Sequence, residues 1–190
     1  MPRIGITRPI PPQIEYPRYG AFSAHLLAQD IQFYLSGGAA NSSVAASLGG
    51  NISFNRVWSG QLNNAWANML QSQLAGGLTS YCCVYVKNSN QHGKTWLNVV
   101  LWIDEEPTNG SLAVALDPAG LGVAESATPN PQTAPTPALT FTQPSGRAGA
   151  LTIGDMVPGA IQAIWMERVI PANPSGGPDQ VSIHVEGGIV

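Results

Sequence analysis

Residues 95–103 read TWLNVVLWI, and the way this run is apolar decides the fold class. In an extended strand successive side chains point to opposite faces. Trp96, Val100 and Trp102 then lie on one face, and Leu97, Val99, Leu101 and Ile103 on the other. A strand apolar on both faces is either central and covered twice, or partly exposed for a partner. The run stops at the charged turn Asp104-Glu105-Glu106-Pro107.

Working outward, the same period recurs. Val181, Ile183 and Val185 alternate with Gln180, Ser182, His184 and Glu186, the pattern of a half-buried strand. Further strands are predicted over Ile31–Leu35, Asn51–Ser59, Ser80–Lys87, Leu112–Leu116, Ala138–Thr142 and Ile161–Val169. Gly and Pro turns separate them, as at Ser36-Gly37-Gly38, Asn109-Gly110 and Pro158-Gly159. Gly122–Pro137 is rich in Pro, Thr and Ala and reads as a long surface loop or an ordered crossover. One helix is expected, Asn63–Ala75, where Trp66, Met69, Leu70 and Leu74 form an apolar stripe at helical period. Gly76-Gly77 supplies its left-handed stop. Short strands at this spacing predict an antiparallel β-sandwich over 31–190, with Ig-like or jelly-roll connectivity left open.

Composition excludes several classes. Of 190 residues, 44% are hydrophobic and 10% charged, against about 25% charged in an average domain. That mix is too apolar and too weakly charged for a disordered chain. A net charge of −3 supplies no basic field for nucleic acid or for a membrane surface. No stretch approaches the roughly 18 apolar residues of a membrane span, and the start has no apolar core of a secretory signal. So few charges point to a surface covered by neighbours, and hence to a homo-oligomer or a subunit of a larger assembly.

Residues 1–30 form a separate segment, an extended Pro-rich arm with its lead-in to the domain. Pro2, Pro9, Pro11, Pro12 and Pro17 block helix and favour a polyproline-like path. Ile4, Ile6, Ile10, Ile14 and Tyr16 are too apolar for a tail built to stay in water, and Arg8 adds charge. These six, with Trp96 and Trp102, are the expected partner-binding residues. Between Lys94 and Arg147 the chain has no base but five acids, Asp104, Glu105, Glu106, Asp117 and Glu125. A basic arm docking on a neighbour's acidic loops would use that asymmetry.

No catalytic constellation emerges. His25, His92 and His184 are scattered, and adjacent Cys82 and Cys83 suit gap-filling rather than a disulfide or a zinc site. Ser36-Gly37-Gly38 lacks the lysine of a phosphate loop, and no nucleophile elbow occurs. The expectation is a non-enzyme with no cofactor and no metal.

YLSGGAANSSVAASLGGNIS (34–53), CVYVKNSN (83–90), ALDPAG (115–120), IGDMVPGAIQAIWMERVIPAN (153–173) and VSIHVEGG (181–188) together resemble a group of tailed-bacteriophage virion structural proteins. The resemblance spans about residues 31–188 and rests on turns and strands. It implies a structural component of a virion assembled in a bacterial cytoplasm. The form it favours is a head decoration protein that binds the major capsid protein and its own copies. A tail, collar or baseplate protein is the alternative. A third reading is a carbohydrate- or cell-surface-binding β module using Trp58, Trp96, Trp102 or Trp165 as stacking platforms.

Overall fold

The computed structural model describes residues 30–58, 64–66, 74–175 and 180–189. They build eight strands: β1 Ile31–Ser36, β2 Ile52–Val57, β3 Leu78–Asn88, β4 Trp96–Glu105, β5 Ser111–Leu116, β6 Leu151–Met156, β7 Ile161–Ile170 and β8 Ser182–Ile189. Five strands form one sheet, ordered β2-β1-β3-β7-β5, and three form a second, β6-β4-β8. Every strand pair is antiparallel. The expected mainly-β sandwich is therefore what forms. From β3 onward each successive strand changes sheet, so no two consecutive strands after β1 and β2 are hydrogen-bonded neighbours.

The inter-sheet core takes one face of each strand. Cys82, Val84 and Val86 of β3, Leu112 and Val114 of β5, and Ile164 and Met166 of β7 meet Val99, Leu101 and Ile103 of β4 and Met156 of β6. The larger sheet buries its other face too. Tyr81, Cys83, Tyr85, Ala163 and Trp165 pack there against Ala124, Leu139 and Phe141 of the long crossover. This double covering explains why β3 carries an unbroken apolar run, SYCCVYV, without alternation. Residues 122–137 are thus an ordered crossover, with Ala124, Ser126 and Thr128 buried.

Loops also extend the sheet. Where β1 ends, Ser47 C=O accepts from Cys83 N–H at 2.8 Å and Pro131 C=O accepts from Tyr81 N–H at 2.7 Å. Thr142 pairs with Val114 at the β5 edge (2.7 and 3.0 Å), and Pro144 C=O accepts from Ile103 N–H at 2.8 Å, so this strap ties the two sheets together. A continuous strand over Ala138–Thr142 does not form: the segment makes only the single bridge at Thr142.

The sequence reading missed β6, LTIGDM, whose Gly154 lies at φ +97° and interrupts its pairing with β4. The helix expected over 63–75 falls largely outside the described residues. Of its described part, 64–66 is a bend and Leu74 enters a turn. Residues 1–29 of the arm lie outside the described residues as well.

Candidate functional site

Strand β4 is the middle strand of the smaller sheet, and a bulge redistributes its side chains. Asn98 sits at φ +50°, its N–H held by Asp155 Oδ1 at 2.8 Å. The extra residue turns Trp96 to the same side as Val99, Leu101 and Ile103, where it is 3% exposed in the core. Strict alternation had placed Trp96 beside Trp102. Trp102 lies on the outer side, 8% exposed, with its ring stacked on the cross-strand His184 at 4.1 Å. Glu186, two residues on, pairs with Arg147. Trp96 and Trp102 thus have their rings covered by their own chain, while Ile4, Ile6, Arg8, Ile10, Ile14 and Tyr16 lie outside the described residues.

Trp165 is also interior, which leaves Trp58 as the exposed one of the four tryptophans considered as sugar platforms. Trp58 is 51% exposed, just beyond the edge strand β2, and the Arg56 guanidinium lies 4.3 Å over its ring. Phe54, on the same strand, is 81% exposed. A phenyl ring left in water on the outermost strand of a sheet marks a surface that gains by being covered.

Beside this edge an open groove of about 580 Å³ runs over the ends of β1 and β3. Tyr34 and Gln32 form its floor; Arg56 and Lys87 flank it from β2 and β3, and Asp30, Ser89, Gln91 and Gly159 close its end. Lys87 Nζ stands 5.6 Å from the Tyr34 ring centre, and Tyr34 donates to Gln32 Oε1 at 2.5 Å. Asp30 is held by Asn90 Nδ2 at 3.0 Å. Ser89 Oγ, in the groove wall, is buried without a hydrogen-bond partner. The turn beneath is built by amides: Asn88 Nδ2 donates to Lys94 C=O and Met156 C=O at 3.0 and 2.8 Å, and Asn90 Oδ1 accepts from the N–H groups of His92 and Lys94. No spacing signal in the sequence marks this groove, because its residues come from three separate strands and the turns beside them.

The acids separate into two kinds. Asp104, Glu105 and Glu106 are exposed at the end of β4; Glu106 accepts from Leu112 N–H at 3.0 Å and Glu105 from Gln180 at 3.0 Å. Asp117, grouped with them on sequence grounds, is 2% exposed. It accepts from the N–H groups of Ala119, Glu125 and Ser126 and from Trp165 Nε1, at 2.9–3.2 Å. It organises the crossover and has no surface to offer an arm.

Burial raises the thiols of Cys82 and Cys83 above their usual range, so both are held as neutral, unreactive groups on opposite faces of β3. Among the described residues no three His, Cys, Asp or Glu side chains gather in a metal-binding group. No described helix is long and apolar enough to cross a membrane. No protein-family model matches the chain, and no curated protein or solved structure matches it significantly.

Proposed function

We propose that the chain is a non-enzymatic structural component of a tailed-bacteriophage particle, a head decoration protein that binds the major capsid protein and its own copies. The observation that carries this reading is the exposed apolar edge, Phe54 at 81% on the outermost strand of the larger sheet and Trp58 at 51% just beyond it. Covering such side chains stabilises a contact by about 25 cal/mol per Å² of apolar area, before ordering is subtracted. A charged fraction of 10% and a Pro-rich apolar arm point the same way, since both suit a surface that works while covered. The sequence resemblance supplies the kind of particle.

The test is the copy number of this chain in purified particles, by quantitative mass spectrometry. Hundreds of copies place it on the head; roughly 3 to 12 copies place it on the tail axis, following the closed symmetry of such assemblies. Its absence from the particle ends the reading. Deleting residues 1–20 is expected to leave a folded domain that no longer binds particles, and normal decoration by that variant removes the arm's role.

A further inference from the structure

The groove and the acidic turn lie at opposite ends of one long strand. Lys87, in the groove, faces Ile161 at the start of β7; Leu78, at the other end of β3, faces Ile170 at the end of β7. Ser111, which opens β5 just after the acidic turn, faces Val169 at that second end. Glu105 itself pairs with Ser182 where β8 begins. Nine residue steps along β3 separate the two ends by roughly 30 Å.

Charge is sorted along that axis. Arg56, Lys87 and Lys94 gather at the groove end, with Asp30 and Asp155 as the acids there; Asp30 is tied to Asn90 and Asp155 caps the Asn98 bulge. At the far end Asp104, Glu105 and Glu106 are exposed, and Glu167 lies beside Tyr81. Among the described residues the cations toward that end are already engaged: Arg168 is partly buried with its guanidinium 4.8 Å over the Trp66 ring and Nε 3.4 Å from Ser80 Oγ, and Arg147 is paired with Glu186.

We propose that copies of this chain associate head to tail, with the Asp104–Glu105 turn of one copy seated in the Arg56–Lys87 groove of the next. This contact deepens the structural role proposed above and rests on its self-association. The occupant is a second copy because this chain presents both complementary surfaces, some 30 Å apart, where one molecule cannot join them. Arg56 and Lys87 approach from the strands either side of Tyr34, so a carboxylate entering the groove meets a cation from each side. Ser89 Oγ, without a partner in the groove wall, gains an acceptor if the wall opens by a rotamer change. Such a contact is heterologous, so repeated copies close into a ring or continue as a filament.

The experiment is sedimentation velocity on the purified full chain and two charge-reversed variants, each first checked for an unchanged melting temperature. Wild type is expected to associate at about 20 mM salt and to weaken at least roughly tenfold by about 0.5 M, as screening shortens. Variant R56E/K87E, acidic at both ends, and variant D104K/E105K, basic at both ends, are each expected to stay monomeric. Mixed, they restore alternating association, which a merely structural role for these residues does not produce. A wild-type chain that stays monomeric at low salt, or a mixture that does not associate, overturns the contact. If R56E/K87E still enters particles in normal copy number, the head-to-tail contact falls while the structural role stands; loss of both wild type and variant from particles removes the structural role itself.

Discussion

Trp165 Nε1 donates to Asp117 Oδ2 at 3.2 Å, joining the middle of β7 to the loop that follows β5. The same carboxylate gathers three backbone N–H groups, so one buried side chain fixes both the fully buried indole and the start of the crossover that covers it. A carboxylate has acceptor capacity for four donors, and no neutral side chain of its size does.

Replacing Asp117 therefore strands donors in a dry site. Asp117→Ala is expected to lower stability by on the order of 4 kcal/mol, and Asp117→Asn by about 2, since the amide keeps one acceptor but turns an NH₂ toward two donors. Thermal melts followed by tryptophan fluorescence measure both. A change under about 0.5 kcal/mol for the alanine variant contradicts the role.

Gly49 and Gly38 both sit at φ +95°, but in different surroundings. A Cβ on Gly49 would lie 2.4 Å from Ser126 C=O and 2.9 Å from the Trp165 ring, whereas one on Gly38 meets nothing within 4 Å. Gly38→Ala thus carries only the backbone penalty of about 1–2 kcal/mol. Gly49→Ala adds a collision with fixed backbone and is expected to exceed about 3 kcal/mol. Equal effects in urea melts would show that the crossover yields.

Stability is expected to fall at alkaline pH. Burial pushes the Tyr85 hydroxyl up from 10.0 to about 12, and it raises both thiols above 9.0. The unfolded chain then loses protons that the folded chain keeps, so this stabilisation is fully present below pH 9.0 and is lost progressively as pH rises toward about 12. Melting temperatures measured across this range should decline, and Tyr85→Phe should flatten the part of the decline above pH 10.0. An unchanged slope in that variant assigns the effect elsewhere.

Phe54 separates binding from folding. At 81% exposure it contributes little to the core, so Phe54→Ser should shift stability by less than about 0.5 kcal/mol. Particle binding should fall severalfold in a co-sedimentation assay. A variant that binds normally shows that the β2 edge is not the contact.

Much of this fold is legible in the sequence. Seven strands announce themselves by apolar runs or alternation between turns, and β8 does so cleanly because one of its faces is in water. Strand β6 is not legible: Gly154 and Asp155 dilute a short run, and its pairing with β4 slips around the bulge. Alternation puts Trp96 on the wrong face for the same reason, since it has no means of showing that Asn98 takes φ +50°. Asp117 reads as surface charge because its donors, Trp165 of β7 and three backbone N–H groups of the segment after β5, reach it only through the fold. The groove was invisible because Arg56, Lys87 and Tyr34 meet only through the pairing of β1, β2 and β3.

The alternation of strands between the two sheets bears on how this polypeptide emerges from a ribosome. Both β3 and β5 hydrogen-bond to β7, so the centre of the larger sheet waits until residues 161–170 have been synthesised. β4 waits in the same way for β6 and β8. During translation the run SYCCVYV has β1 and the Ser47 loop to lean on, so much of its apolar surface is left uncovered until late in synthesis.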